Sequence, residues 1–223
     1  MKITVVIPAR NEEGCIGRVL REIPRTLVHE ILIVDGNSND KTVAEAKRFM
    51  RSSDKLLHQK GGGGYGAALI QGMKGASGEV IVMMDADGSH DPKDIGKILK
   101  EMEGGADYVM ASRYMPGGRS DDDTWLRWFG NKIFTWMTNM VHGTDMTDSL
   151  YLFTAIKKDA MKKLNLRSDG FEFCTEIVVK AHKAGLKFAE IPTIERARYA
   201  GESKVNSLYH GIKILSMILR RYE

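Results

Sequence analysis

The chain has little of what marks several protein classes. Only 2 cysteines, Cys15 and Cys174, stand in 223 residues, which rules against a disulfide scaffold and fits a reducing cytoplasm. No apolar run reaches the ~18 residues that span a bilayer, so the chain is expected to be soluble or to lie on a membrane surface. No charged leader with an apolar core and cleavage site precedes the opening MKITVVIPAR, which again points to the cytoplasm. Repeats, low-complexity tracts and Pro- or Ser-rich linkers are missing, so one large domain is expected over residues 1–223. Charge of one sign is scarce too. Lys and Arg number 33 against 29 Asp and Glu, and the balance of +4 suits an anionic small molecule or a lipid headgroup but falls short of a nucleic-acid footprint.

What is present is material for a core: 43% of the residues are apolar. Short apolar runs alternate with helical patterns through the first half. ITVVIP, EILIVD, KLLHQ, EVIVMMD and DYVMAS read as strands, with helices over residues 15–23, 42–51, 65–75 and 92–103 between them. That alternation predicts right-handed βαβ units, hence an α/β fold with a mainly parallel central sheet and helices on both faces. Such sheets bind ligands beyond the carboxyl ends of their strands. The polar residues fall just there, at 8–13, 35–40, 61–64 and 85–87. From about Gly117 the alternation lapses into a Trp-rich helical pattern, then DSLYLFTA, further helices, the strand KFAEIP and the polar loop ERARYAGESK.

In GEVIVMMDADGSHDP an apolar strand, Val80 to Met84, runs into two aspartates, Asp85 and Asp87. Two such charges 4 Å apart repel by about 4 kcal/mol at an effective dielectric near 20. A hard divalent cation, Mg²⁺ or Mn²⁺, held by both carboxylates would remove the repulsion and accept oxygens of a diphosphate. The plainer reading makes Asp85 a turn cap and Asp87 a helix cap. A rival use of the chain lies in GGGGYG, where Gly61, Gly63 and Gly66 satisfy G-x-G-x-x-G between a strand and a helix, as in an NAD-dependent oxidoreductase. That motif normally opens the first βα unit, however, and here two units precede it.

Taken in order, VVIPARNEE, VDGNSNDKT, GGGGYGAAL, VIVMMDADGSHDP, ASRY and RARYAGESK resemble the family 2 glycosyltransferases of the GT-A fold. Within them the likeness is to the polyprenyl-phosphate sugar transferases typified by dolichyl-phosphate mannose synthase, and it covers nearly the whole chain. The resemblance implies an inverting, metal-dependent hexosyltransferase. Its donor would be a nucleotide sugar of GDP-mannose or UDP-glucose type and its acceptor a polyprenyl or dolichyl phosphate, with a soluble sugar hydroxyl as the alternative acceptor. Residues 1–116 would form the nucleotide-binding half, 117–204 the acceptor side and 205–223 a C-terminal amphipathic helix.

By the same resemblance Pro8, Ala9, Arg10, Asn11, Glu12, Asp35, Gly66 and Ala86 would bind the nucleotide sugar, and Asp85 and Asp87 the metal. Gly36 departs from the paired aspartates common in the family, and Ser89 stands where a glutamine is often found. Arg113, Arg127, Arg198, Ser203 and Lys204 are the phosphate- and acceptor-binding candidates, since guanidinium groups suit bidentate phosphate contacts; Arg196 is a weaker one. GTDMTDSLYLFTA and GFEFCTE resemble a signature that makes Asp145, Asp148, Glu172 and Glu176 acceptor-side candidates. Asp87, Arg113, Asp148 and Glu176 form the catalytic set. A hydroxyl acceptor would need one of these carboxylates as base, whereas an ionised phosphate would not. His90 is read as a packing or capping residue.

Trp125, Trp128, Phe129, Trp136, Met137 and Met140 repeat with a helical period, which reads first as core packing and second as a helix at a lipid interface. Leu208, Ile212, Leu215, Ile218 and Leu219, with Lys213, Arg220 and Arg221, describe an amphipathic C-terminal helix. Such a helix would rest on the cytoplasmic face of a membrane, on its own domain or on a twin subunit in a homo-oligomer. In many relatives membrane-spanning helices follow at about this point.

Overall fold

A computed structural model of the chain describes residues 1–201 and 207–220. The β-branched run ITVVIPA forms β1 (Ile3–Ala9), buried along its whole length. It feeds α1 (Ile16–Glu22), which turns back into β2 (Glu30–Asp35). The units α2 (Thr42–Phe49) with β3 (Lys55–His58) and α3 (Tyr65–Gly75) with β4 (Val80–Met83) repeat the pattern. A single 3₁₀ turn, Pro92–Asp94, leads into α4 (Ile95–Glu103) and β5 (Tyr108–Ser112). The elements expected in the first half are all present, with ends moved by a residue or two.

The second half holds β6 (Arg119–Ser120), the long α5 (Trp125–His142), β7 (Thr154–Lys157), α6 (Lys158–Met161), α7 (Phe173–Lys183), β8 (Phe188–Pro192), β9 (Ile194–Glu195) and α8 (Ser207–Ile218). Seven strands make one sheet in the order β3-β2-β1-β4-β7-β5-β8. Its pairs are parallel except for β7, which lies antiparallel between β4 and β5. The sheet is therefore mainly parallel, and the inserted strand comes from the DSLYLFTA region where the alternation was lost. β6 and β9 pair in a separate two-stranded ribbon.

Alternate residues of each strand feed two apolar layers. Val5, Ile7, Ile31, Ile33, Val82 and Val109 pack under α1, α2 and α4. Val6, Leu32, Val34, Ile81 and Met110 pack under α3 and α7 through Leu69, Met73, Phe173 and Ile177. Each fully buried aliphatic side chain stabilises the fold by roughly 1.5–3 kcal/mol relative to exposure. The stripe on α5 takes no such place. Trp125 is 77% exposed, Trp136 62% and Met140 68%, and of the helix only Thr135 and Thr138 are buried. The core-packing expectation for these aromatics does not hold.

Candidate active site

At the carboxyl ends of the strands lies a cavity of about 880 Å³, and its walls change character from one side to the other. Pro8 and Ala9 at the end of β1 with Arg10 and Glu12 beyond it, Val34 and Gly36 at β2, and Gln59, Gly63 and Gly64 after β3 line one end. Asp85, Ala86, Asp87 and Ser89, after β4, form the middle. Arg113, Asp123 and Glu195, the α5 residues Leu126, Arg127 and Phe134, and His210 and Ile214 of α8 close the far end, with Arg198 reaching in from the loop after β9.

The two middle aspartates depart from the ordinary carboxylate range in opposite directions. Burial, and next the charge of Asp87, pushes the Asp85 carboxyl up to about 7, against the pull of Tyr65 and Arg198. The Tyr65 hydroxyl donates to Asp85 Oδ1 at 2.5 Å, and the Asp85 N–H donates to His90 Nδ1 at 3.2 Å. Burial works against the charge of Asp87 too, but Ser89, His90 and Arg198 outweigh it and hold that carboxyl below its usual range. Ser89 donates to Asp87 Oδ1 from its N–H at 2.9 Å and its hydroxyl at 2.7 Å, and Arg198 reaches Oδ2 at 2.5 Å. Within the protein the repulsion between the pair is thus eased by the raised affinity of Asp85 for a proton and by a guanidinium on Asp87. Two hard carboxylates close enough that the charge of one adds to burial in raising the other fit a divalent Mg²⁺ or Mn²⁺ ion. His90 is neutral, since burial lowers it to about 4, and it stacks on Phe153 beneath the aspartates.

The loop carrying Arg198 is joined to the Asp85–Ser89 turn by its backbone. Arg196 N–H donates to Ser89 O at 2.8 Å and Tyr199 N–H to Asp87 O at 2.9 Å. Gly88 has φ +89°, and a Cβ there would lie 2.3 Å from the Tyr199 ring, so only glycine fits. Arg196 itself turns away from the cavity to Glu22 at 3.0 Å and Asp91 at 2.6 Å, which removes it from the phosphate-binding candidates.

Arg113 lines the cavity, yet its guanidinium is engaged. It is 7% exposed, bonds Asp148 through Nε at 2.7 Å and Nη2 at 3.0 Å, reaches Glu195 at 3.2 Å and lies over the Tyr151 ring. Asp148, wholly buried behind it, does not line the cavity and fixes Arg113 rather than touching a ligand. Glu176 is corrected in the same way. Its carboxylate accepts from the Arg167 and Ser168 N–H groups and from Lys180 at 2.6 Å, which ties down residues 167–168 away from the cavity. Glu172 faces Lys213 at 3.9 Å, and Asp145 is exposed outside the site.

Three nucleotide-site expectations also move. Asp35 is 2% exposed and spends its oxygens on the Ser38 N–H and on His58 Nδ1. Asn11, at φ 51°, accepts from the Asn39 N–H and holds the first loop against the second. Gly66 lies behind the wall, where a Cβ would come within 2.4 Å of Ser168 O, so its role is close packing. Ser203, Lys204 and Arg221 lie outside the described residues. The cavity meanwhile includes Gln59, Tyr65, Asp123 and Glu195, which no motif singled out. Gln59 carried a signal of the right kind: a polar side chain closing a strand, as Asp35 and Asp85 do.

Several known proteins are similar to this chain. The model for Glycosyl transferase family 2 matches residues 4–164. A dolichol-phosphate mannosyltransferase of Pyrococcus furiosus is 31% identical over 92% of this chain, which spans 59% of that relative's length. A polyprenol monophosphomannose synthase of Mycolicibacterium smegmatis is 31% identical over 91% of this chain and 80% of its own. Among solved structures, glucosyl-3-phosphoglycerate synthase from Mycobacterium tuberculosis in complex with Mn²⁺, UDP and glucosyl-3-phosphoglycerate superposes with a TM-score of 0.75 at 18% identity, covering 98% of this chain and 78% of that one. The family match and the shared sheet displace the oxidoreductase alternative: this chain is a glycosyltransferase that belongs to family 2 and carries the GT-A fold.

Proposed function

We propose that the chain moves a hexose from a nucleoside-diphosphate sugar to a polyprenyl phosphate, inverting the anomeric centre in one displacement. The observation that carries the reading is α5, which is both cavity wall and exposed apolar surface. Leu126, Arg127 and Phe134 line the cavity, while Trp125, Trp128, Phe129 and Trp136 on the same helix stand exposed. A lipid phosphate suits this combination: a partly apolar chamber that holds the guanidinium groups of Arg127 and Arg198 and opens beside apolar surface. The names of the relatives support the same acceptor class.

The donor would lie with its base between the ends of β1, β2 and β3 and its diphosphate over Asp85 and Asp87. Those two carboxylates would hold Mg²⁺ or Mn²⁺, whose chemistry is to neutralise charge on the leaving diphosphate. Arg198 then exchanges Asp87 for phosphate oxygens, and Arg127, paired only at 3.4 Å with Asp122, is the second guanidinium within reach of the acceptor. The acceptor oxygen attacks the anomeric carbon as the bond to the diphosphate breaks, and the electron pair leaves on that diphosphate. The phosphate acceptor is already ionised, so no side chain takes a proton from it, consistent with Glu176 and Asp148 lying outside the cavity.

The test is transfer of labelled mannose from GDP-mannose, or glucose from UDP-glucose, to a short polyprenyl phosphate with Mn²⁺ present. Labelled lipid product is expected. Transfer to a soluble sugar hydroxyl, with the lipid phosphate inert, would overturn the acceptor and leave the family assignment intact. Partial sedimentation with anionic vesicles, lost at high salt, is the expected behaviour of the peripheral, cytoplasmic-face protein proposed here.

A further inference from the structure

Gln59 is held as a directed acceptor at the strand-end side of the cavity. Its backbone N–H donates to Asp35 O at 2.8 Å, extending the pairing of β2 with β3 by one residue. Its side chain is folded onto the glycine run, with Nε2 donating to Gly64 O at 2.7 Å. Only an amide NH₂ can donate to a carbonyl, so the orientation is fixed by chemistry and Oε1 points the other way. That oxygen has no hydrogen-bond partner among the described residues. The residue is 8% exposed and lines the cavity.

The surroundings make a slot beside this oxygen. A Cβ on Gly36 would stand 3.4 Å from Oε1 and 3.2 Å from the Arg10 Cβ, and one on Gly63 would stand 3.3 Å from Nε2. Neither glycine sets a side chain against the amide, and both line the cavity beside it. Asp35, the carboxylate that would otherwise serve here, is committed to Ser38 and His58. A carbonyl oxygen that faces the cavity with both lone pairs open can accept from a ligand.

Resting on the nucleotide-sugar reading above, we propose that Gln59 Oε1 reads the donor's nucleobase by accepting a ring N–H, which makes Gln59 a specificity-determining residue. The chemistry asked of the base is a ring lactam N–H, which uracil offers at N3 and guanine at N1. The lack of a side chain at Gly36 leaves Oε1 open on that flank.

The experiment measures binding of UDP, 3-methyl-UDP, GDP and 1-methyl-GDP with Mn²⁺ to the full chain and to Gln59→Ala. Inorganic diphosphate serves as a base-independent control. For whichever base is preferred, methylating the ring nitrogen is expected to weaken binding to the unaltered protein by about tenfold. In Gln59→Ala the gap should shrink to within about twofold, while diphosphate binds both proteins alike. An undiminished gap in the variant, or no gap in the unaltered protein, overturns the proposal and leaves the transferase reading standing. Failure of every nucleotide to bind while diphosphate binds overturns both. If the variant does not fold, the gap in the unaltered protein decides alone.

Discussion

Two guanidinium groups face the same cavity and are held in opposite ways. Arg113, on the wall after β5, is locked by a two-point bond to buried Asp148, a contact to Glu195 and the Tyr151 ring. Arg198, on the loop after β9, has a single carboxylate partner among the described residues, Asp87, and 21% of its side chain exposed. The first arrangement resembles a structural core made of charges, in which removing one partner strands the other. The second is exchangeable: one contact must break for the guanidinium to serve a phosphate. A positive charge in a site is therefore no guide to its use until its partners are counted.

The sharpest way to break the comparison is Asp148→Ala. It should destabilise the fold by about 3–5 kcal/mol, read by urea denaturation, because Arg113 would be left buried with half its partners. A loss under 1 kcal/mol would mean the two arginines are held alike. Asp87→Ala should leave the fold intact but cut sugar transfer by about a hundredfold or more, since the diphosphate would lose its neutralising ion. Arg198→Ala should weaken nucleoside-diphosphate binding by about tenfold while shifting stability by less than ~1 kcal/mol, as befits a partly exposed pair.

The proton on Asp85 gives a smaller, graded test. Its carboxyl in the folded protein titrates near 7 against an ordinary value of 3.8, while His90 stays neutral down to about 4. Because the folded value is raised, the proton stabilises the ion-free protein fully at low pH, and that contribution is lost as pH rises through about 7. On the proposed metal site Mn²⁺ would displace the same proton, so its affinity should fall about tenfold per pH unit below 7 and level off above, as titration calorimetry would show. The smallest expected effect belongs to the exposed stripe. Trp136→Ser should change stability by less than ~0.5 kcal/mol yet reduce vesicle sedimentation, and a large melting shift would mean that this residue is core after all.

The half of the fold built from βαβ units was legible because each strand is a continuous apolar run ending in polar residues. β7 was not, since four residues of TAIK between turns carry no period of their own, and pairing with β4 and β5 alone makes them a strand. At the site, Asp85 and Asp87 could be read from the abrupt change from Met84 onward. Glu176 and Asp148 misled because an acidic residue in a motif looks the same whether it meets a substrate or secures a backbone turn. Gln59 escaped notice for the converse reason: a neutral amide draws attention only once its partners, and the lack of one on Oε1, are known. The tryptophans of α5 have the spacing of a buried face, and spacing does not tell which surface lies opposite.

The pairing of Arg196 and Tyr199 with Ser89 and Asp87 has a consequence for recombination among relatives. Residues more than 100 positions apart behave as one splice, because the Tyr199 ring occupies the space that Gly88 leaves. A chimera that takes residues 1–116 from one parent and the remainder from another cuts through this joint. Any side chain larger than glycine at the first position meets the aromatic ring at the second. Exchange of the two loops together preserves it, so crossovers should survive in the stretch between them only when both loops come from the same parent.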